Sequence, residues 1–195
     1  MKIGVLALQG AFREHRVALE KCGCEVVEVR KAEHLDGLAG LVLPGGESTT
    51  IGKLLNDFIL LEPIRTLGLQ GMPIFATCAG LIVLAKDIEG SQQPRLGLLD
   101  AQVRRNAFGR QVDSFEIDLP VAKFSGKTIR SVFIRAPYIL KIYEGVEILA
   151  SHEDKIVMVE QGNLLATAFH PELTDDLTLH QYFVSKCSEY VSSAR

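Results

Sequence analysis

The 195-residue sequence predicts an α/β fold of three layers, in which helices cover both faces of a doubly wound, mostly parallel sheet. In the first half of the chain, short apolar runs alternate with stretches of helical apolar spacing, which is typical of parallel strands joined by helices. In the second half, strand-like runs are separated only by turns, so we expect antiparallel hairpins added to the same sheet. Because no linker or repeat divides the chain, we expect one domain over residues 1–195.

Turn signals set the expected boundaries in the first half. Gly23 ends the first helix, and Gly68 and Gly71 stop a helical turn that begins at Pro63. Ser48 and the two threonines after it can cap another helix. We expect strands at residues 2–8, 25–29, 40–43 and 74–76, a short helix or turn at 34–38, and helices at 13–22, 51–58 and 81–85.

The second half contains strand-like runs and closes with an amphipathic segment. Asp175 and Asp176 stand near the start of that segment, where the helix dipole favours acidic side chains. Turns are expected at residues 106–109 and 161–163. We expect strands at residues 98–105, 111–119, 128–134, 146–151, 155–160 and 164–169, and a final helix at 174–191.

Composition excludes several classes of function. The formal net charge of −3 provides no basic footprint for nucleic acid or an anionic membrane surface. No apolar run reaches the roughly 18 residues that a transmembrane helix needs. The start MKIGVLALQG lacks a signal-peptide cleavage site, so we expect a cytoplasmic protein with free thiols. Cys22 and Cys24 lack the spacing of paired zinc ligands, and no second cluster answers them, so we expect no metal.

Cys78 lies at a predicted strand-to-helix turn, between residues 74–76 and 81–85. A cysteine between small residues at such a turn has the layout of a nucleophile elbow, which presents the reactive atom above the sheet. The unpaired N–H groups and positive dipole end of a helix N-terminus favour the thiolate form of a cysteine. The alternative is a buried structural cysteine, and only a neighbouring base decides between the two.

Of the five histidines, His170 is the best candidate for that base. It follows the apolar run at 164–169 and precedes Pro171, which favours an extended conformation at His170. In an extended segment Glu172 points to the same side, so it can orient the imidazole towards Cys78. The alternative is a simple strand exit. His15 and His180 have charged or polar neighbours in predicted helices, and we expect both on the surface.

A Gly-Gly turn follows the expected strand at 40–43. Its backbone N–H groups, with the amide of Ala79, could stabilise a tetrahedral oxyanion at the carboxyl edge of the sheet. A phosphate-binding loop would need four residues between its glycines and a Ser or Thr after the lysine. Here five residues separate Gly46 from Gly52, and Leu54 follows Lys53, so we reject that alternative.

These motifs together resemble the class I (triad) glutamine amidotransferases, which have a flavodoxin-like fold. Within that class the chain is most similar to the glutaminase subunits of pyridoxal 5′-phosphate synthases, and the similarity runs from the first strand to the last helix. The shared triad motifs are PGGES at 44–48, TCAG at 77–80 and HPE at 170–172. The more specific blocks are LQG at 8–10, GGESTT at 45–50, RRNAFGRQ at 104–111, FIRAP at 133–137 and HPELTDD at 170–176.

The resemblance implies a role for each matching residue. Cys78 would attack the carboxamide of L-glutamine to give a glutamyl thioester and ammonia, His170 would relay protons, and Glu172 would hold His170. The oxyanion hole would consist of the backbone amides of Gly46 and Ala79. The positions that match the glutamine-binding residues of the family are Gly46, Glu47, Ser48, Arg105, Ile134 and Arg135.

The resemblance also implies a partner and no cofactor. The partner would be a (β/α)₈-barrel synthase subunit, in a large hetero-oligomer, that combines the ammonia with ribose 5-phosphate and glyceraldehyde 3-phosphate to make pyridoxal 5′-phosphate. Amidotransferase elbows usually carry Gly two residues before the cysteine, where this chain has Ala76. We expect a negative φ there and retained activity. Two alternatives stay open: a glutaminase or Cys hydrolase of another pathway, and a non-catalytic interaction protein.

Overall fold

The computed structural model describes residues 1–105, 114–124 and 126–193, and a ten-stranded sheet dominates them. The predicted turn at 106–109, and residues 111–113 of the strand predicted over 111–119, lie outside the described residues. The strands are β1 (Lys2–Leu6), β2 (Glu25–Val29), β3 (Gly40–Leu43), β4 (Ile74–Thr77), β5 (Ala85–Ile88), β6 (Leu99–Arg104), β7 (Ser114–Pro120), β8 (Thr128–Ile134), β9 (Tyr138–Ile142), β10 (Glu147–His152), β11 (Lys155–Gln161) and β12 (Leu164–Thr167). The helices are α1 (Phe12–Lys21), α2 (Ser48–Asp57), α3 (Leu61–Leu69), α4 (Ala79–Leu84) and α5 (Thr178–Ser193), with 3₁₀ turns at Ala32–Leu35, Ala122–Phe124 and Pro171–Leu173.

The first four strands run parallel, as predicted. In the order β2-β1-β3-β4-β12, every neighbouring pair is parallel. The crossover from β1 to β2 passes through α1, and the crossover from β3 to β4 passes through α2 and α3 in the opposite direction along the sheet. Right-handed crossovers in opposite directions place their helices on opposite faces, which confirms the doubly wound, three-layer prediction.

The second half follows the prediction only in part. An antiparallel pair links β10 to β11, as expected, and antiparallel pairs also link β11 to β9 and β9 to β6. The expected hairpin of β11 and β12 is antiparallel, but β12 also pairs in parallel with β4, which was not predicted. The prediction also misses β5 and β9, and β7 and β8 form a separate two-stranded sheet. An apolar run looks the same in a parallel and an antiparallel buried strand, so composition could not decide these directions.

Strand β4 lies at the centre of the core, and all four of its residues are buried. Phe75 packs against Phe183 of α5, with ring centroids 5.6 Å apart. Burying a phenylalanine side chain stabilises the fold by roughly 1.5–3 kcal/mol, so this contact anchors α5 on the sheet. No helix within the described ranges is long and apolar enough to cross a membrane.

The carboxyl ends of four parallel strands meet at one edge of the sheet. β1 has β2 on one side and β3 on the other, so the strand order reverses there. In open α/β sheets, ligands bind outside the carboxyl ends of the strands at such a reversal. The segments that leave β1, β3, β4 and β12 at this edge contain the Gln9–Gly10 turn, the Gly45–Gly46 turn, Cys78 and His170.

Candidate active site

Cys78 occupies a strained turn between β4 and α4. Its backbone has φ +48° and ψ −104°, a conformation that costs a non-glycine residue of order 1–3 kcal/mol. Its N–H donates to the carbonyl of Thr167 at 2.9 Å, which ties the turn to the end of β12. The predicted strand–turn–helix arrangement is therefore present. Ala76 lies within β4 without a positive φ, as expected, so its methyl group is accommodated without backbone strain.

His170 lies next to Cys78 and contacts Glu172. Its Nδ1 is 2.8 Å from Oε1 of Glu172, and both side chains are almost fully buried. Burial disfavours a charged imidazole, but hydrogen bonds and charge interactions with Cys78 and Glu172 outweigh it and raise the pKa of His170 to about 10. Burial likewise disfavours the carboxylate of Glu172, but His15 and His170 outweigh it and lower the pKa of Glu172. At neutral pH the pair is therefore an imidazolium beside a carboxylate.

The contact between His170 and Glu172 forms by a different local geometry from the one expected. His170 has φ −108° and ψ 87°, just outside the extended region that Pro171 was expected to favour. Glu172 lies in the 3₁₀ turn Pro171–Leu173 rather than in a continued strand. The expected pair is therefore present, but strand alternation is not what brings the two side chains together.

His15 and His180 are buried, so the expectation that they lie on the surface is wrong. His15 Nδ1 is 3.0 Å from His180 Nε2, and His15 Nε2 is 3.1 Å from Thr77 Oγ1 and 3.3 Å from Glu172 Oε2. Helical spacing could have predicted the burial of His15, because His15 lies on the same face of α1 as Ala18 and Leu19. Similarly, His180 is one of the buried residues of α5.

The Gly-Gly turn after β3 is held from two sides. The N–H of Gly45 donates to Thr77 Oγ1 at 3.1 Å, and the carbonyl of Gly45 accepts from the N–H of Ala11 at 2.9 Å. A Cβ on Gly45 would lie 2.3 Å from Cε1 of His170, so only glycine lets this strand end approach the imidazole. Gly46 is exposed to solvent beside the turn, and the N–H of Glu47 donates to Gln9 Oε1 at 2.8 Å.

These elements enclose a cavity of about 450 Å³. Its volume falls in the range of small-ligand sites. Glu172 lies behind His170 and does not line it, whereas every other sequence-predicted site residue does. These lining residues are Cys78, His170, Gly46, Ala79, Glu47, Ser48, Arg105, Ile134 and Arg135. The described part of the chain contains no group of three or more His, Cys, Asp or Glu side chains that could hold a metal ion.

Glu47 lines the cavity, but its carboxylate is engaged in capping α2. The two oxygens accept the N–H groups of Thr49 and Thr50 at 3.1 and 2.7 Å. Although burial disfavours the charge, these hydrogen bonds and the threonine hydroxyls lower the pKa of Glu47 to about 2. The predicted cap at Ser48 is therefore one residue late, since Ser48 is the first residue of α2. At α5 the predicted start at residue 174 is instead too early, because the helix begins at Thr178, whose N–H donates to Asp176 at 2.9 Å.

The far wall of the cavity comes from the second half of the chain. Arg105 Nη1 donates to Gln93 Oε1 at 3.2 Å, and the same oxygen lies 3.5 Å from the Ser48 hydroxyl. Sequence reasoning missed Gln93, which stands in an irregular segment with no motif around it. Arg135 follows β8 with φ +43° and is exposed. Two guanidinium groups at one cavity suit a carboxylate ligand, because arginine binds carboxylates with two parallel hydrogen bonds.

Comparison with known proteins agrees with this geometry. The model of the SNO glutamine amidotransferase family matches residues 5–189. The chain is 62% identical over 184 residues (94% of this chain and 98% of the relative) to pyridoxal 5′-phosphate synthase subunit PdxT of Moorella thermoacetica. It is 61% identical over 187 residues (96% and 95%) to the subunit of that name from Pelotomaculum thermopropionicum. A crystal structure of a glutamine amidotransferase matches with a TM-score of 0.91 at 54% identity, covering 95% of this chain and 98% of that one. The chain therefore belongs to the SNO glutamine amidotransferase family.

Proposed function

We propose that this chain is the glutaminase subunit of a pyridoxal 5′-phosphate synthase and hydrolyses L-glutamine at the cavity around Cys78. The observation that carries the proposal is the alignment of three side chains. Cys78 stands on a strained elbow, His170 lies beside it, and Glu172 holds the other side of the imidazole at 2.8 Å. This is the nucleophile, base and orienting group that acyl transfer through a covalent intermediate requires.

The reaction would proceed in two acyl-transfer steps. The sulfur of Cys78 attacks the carboxamide carbon, and the charge that develops on oxygen is stabilised by the N–H groups of Gly46 and Ala79. The imidazolium of His170 donates its proton to the departing nitrogen, the C–N bond breaks, and ammonia leaves a glutamyl thioester. His170 then takes a proton from water as the water oxygen attacks the thioester carbon, and the C–S bond breaks to release glutamate and leave the sulfur beside the imidazolium, as at the start.

Substrate binding would use the far wall of the cavity. Arg105 and Arg135 fit the α-carboxylate of glutamine, and Gln93 holds the Arg105 guanidinium in place. Ser48 and Ile134 complete the contacts. Glu47 would contribute through its position and backbone, because its carboxylate is committed to the N-terminus of α2.

The ammonia would pass to a synthase partner. The relatives named above are called subunits of pyridoxal 5′-phosphate synthase, which supports a partner subunit for this chain. We propose a (β/α)₈ barrel in a large hetero-oligomer that uses ribose 5-phosphate and glyceraldehyde 3-phosphate, in the cytoplasm. We also propose the Gly45–Gly46 peptide as a switch that the partner sets. A flip of that peptide would break the hydrogen bond from Ala11 to Gly45.

Glutamate release from glutamine, measured with and without the barrel synthase, tests the proposal. We expect weak activity alone, stimulation by the synthase, and loss of both in Cys78→Ala. Activity that persists in Cys78→Ala would contradict the assignment of the nucleophile. Full turnover by the chain alone, unchanged by the synthase, would contradict the partner-set switch but leave the glutaminase intact.

A further inference from the structure

We infer that His15 is a positioning residue of the glutaminase site: its neutral imidazole places Nε2 3.3 Å from the second carboxylate oxygen of Glu172 and hydrogen-bonds Thr77, which binds the Gly45 turn, while His180 sets its tautomer. The inference rests on the proposed roles of Cys78, His170 and Glu172. Five side chains are then connected in series from the cavity into the core, in the order Cys78, His170, Glu172, His15 and His180.

The second oxygen of Glu172 is the link that requires an explanation. Oε1 is used by His170, whereas Oε2 is buried and makes no well-aligned hydrogen bond to any described residue. His15 Nε2 lies 3.3 Å from it. The contact is a close electrostatic approach and not a formed hydrogen bond, and it opposes rotation of the buried carboxylate away from His170. His15 is therefore placed to fix the orientation of Glu172.

The hydrogen-bond pattern of the two histidines assigns their protons. Nδ1 of His180 is buried and has no partner among the described residues. A proton there would be a buried donor without an acceptor, so the proton of His180 belongs on Nε2 and is donated to His15 Nδ1 at 3.0 Å. The proton of His15 then belongs on Nε2, which faces Thr77 and Glu172.

Both rings are neutral, which suits a positioning role. Burial lowers the pKa of His15, with His170 adding to the shift while Glu172 and Glu14 oppose it. Burial and the nearby His15 lower the pKa of His180 to about 3, against opposing contributions from Glu172 and Asp176. A neutral N–H orients the carboxylate without cancelling its charge, and that charge is what stabilises the imidazolium of His170.

Thr77 connects the same nitrogen to the oxyanion side of the site. Its hydroxyl oxygen lies 3.1 Å from His15 Nε2 and accepts the N–H of Gly45 at 3.1 Å. A displacement of His15 would therefore disturb both the orienting carboxylate and the turn that precedes Gly46. The alternative is a pair of histidines that only fills space around Phe75, whose ring centroid lies 6.0 Å from His15 and 5.7 Å from His180.

Two substitutions of His15 separate these alternatives in the complex with the barrel synthase. Gln places an N–H donor near the position of Nε2, whereas Met has a similar length and no donor. We expect His15→Met to lower kcat roughly 10- to 100-fold, as loss of outer hydrogen-bond partners does at other sites, with KM within about twofold. His15→Gln should recover most of that loss. In His15→Met the alkaline limb of the kcat/KM profile should move to lower pH, because the imidazolium loses its oriented carboxylate.

The matched control is Phe183→Leu, a core lesion on α5 beside the same cluster. It should lower the denaturation midpoint without moving kcat or the pH profile. If His15→Met changes only stability, as the control does, the positioning role is wrong. If His15→Met does not fold, His180→Phe decides: a lowered kcat in a folded protein supports the chain of contacts, and a wild-type kcat overturns it. Activity that survives in Cys78→Ala would instead contradict the proposed function itself.

Discussion

The two walls of the cavity are built in different ways. The wall formed by the ends of β4 and β12 is part of the core: Cys78, His170 and Glu172 are 7%, 8% and 6% exposed. We call this the core wall. The wall formed by the second half of the chain, the rim wall, is closer to solvent: Arg105 and Ile134 are half-buried and Arg135 is exposed. The proposed reactive groups thus share contacts with the hydrophobic core, whereas the proposed substrate-binding groups share contacts with the surface. Lesions of the first wall should alter kcat and stability together, and lesions of the second should alter KM.

The sharpest test of the core wall is Glu172→Gln. The substitution keeps the shape but removes the charge that stabilises the His170 imidazolium, and it can reverse the tautomer of His170. We expect kcat to fall by about 10³- to 10⁴-fold, as in other triads that lose the acidic member. Glutamate release in the presence of the synthase measures the loss. Asp175→Asn, an exposed carboxylate three residues away, is the control and should retain wild-type activity.

The rim wall should respond differently to Arg105→Ala. Loss of a charge-assisted hydrogen bond to the substrate carboxylate corresponds to about 1.5–3 kcal/mol, or a KM higher by roughly 10- to 100-fold. kcat at saturating glutamine and the urea denaturation midpoint should change little. Arg104→Ala is the matched control, because Arg104 pairs with Glu89 and does not line the cavity. A large loss of kcat in Arg105→Ala with an unchanged KM would contradict the division between the two walls.

Much of the fold and of the candidate site could be predicted from the sequence. The order of strands and helices up to Cys78 follows from turn signals, and the Cys78, His170 and Glu172 set follows from the elbow and the His-Pro-Glu exit. The single-domain organisation of residues 1–195 stays a prediction. The histidine pair was missed because charged or polar neighbours in sequence were taken to indicate a surface position, whereas a helix face is set by residues three and four positions apart. Val17 is 46% exposed, and the buried face instead contains His15 with Ala18 and Leu19.

The direction of the strands next to β12 could not be predicted from the sequence, for a physical reason. β12 is an apolar run covered on both faces, and such a run has no feature that distinguishes parallel from antiparallel neighbours. The pairing with β4 in the register Thr167 to Thr77 is what brings His170 to the same edge as Cys78. Gln93 contacts Arg105 and Ser48 at the far wall of the cavity, and only these contacts, not a sequence motif, identify it.

The buried histidines should make stability depend on pH. The unfolded chain protonates His180 near its ordinary pKa of 6.5, whereas the native chain does so only near 3. The unfolded state therefore binds more protons in this window, and the free energy of unfolding should fall as pH is lowered, by up to about 1.4 kcal/mol per pH unit. Above pH 6.5 the sign reverses for His170, whose raised pKa of about 10 means that its contribution is lost as pH rises towards 10.

Urea unfolding between pH 7 and pH 5 measures this slope, since the free energy of unfolding extrapolates linearly. His180→Phe should make the slope shallower, because one of the two titrating groups is removed from the core. Arg135→Ala on the rim should leave the slope unchanged. An equal slope in wild type and His180→Phe would show that the histidine pair is not the source of the acid sensitivity.

The smallest expected effect isolates the strain at the elbow from its chemistry. Cys78→Ala and Cys78→Gly both remove the sulfur and should both be inactive, so they differ in backbone preference and in one methyl group. At φ +48° and ψ −104° glycine avoids a steric penalty that alanine keeps, and we expect Cys78→Gly to be more stable by about 1 kcal/mol. Cys187, buried in α5, is the matched control, where a helical backbone favours alanine over glycine by about 1 kcal/mol. Opposite orders of stability at the two cysteines would show that the core wall holds its nucleophile in a strained position. The same order at both would mean that the elbow stores no strain, and that the reactivity of Cys78 depends on His170 and its neighbours alone.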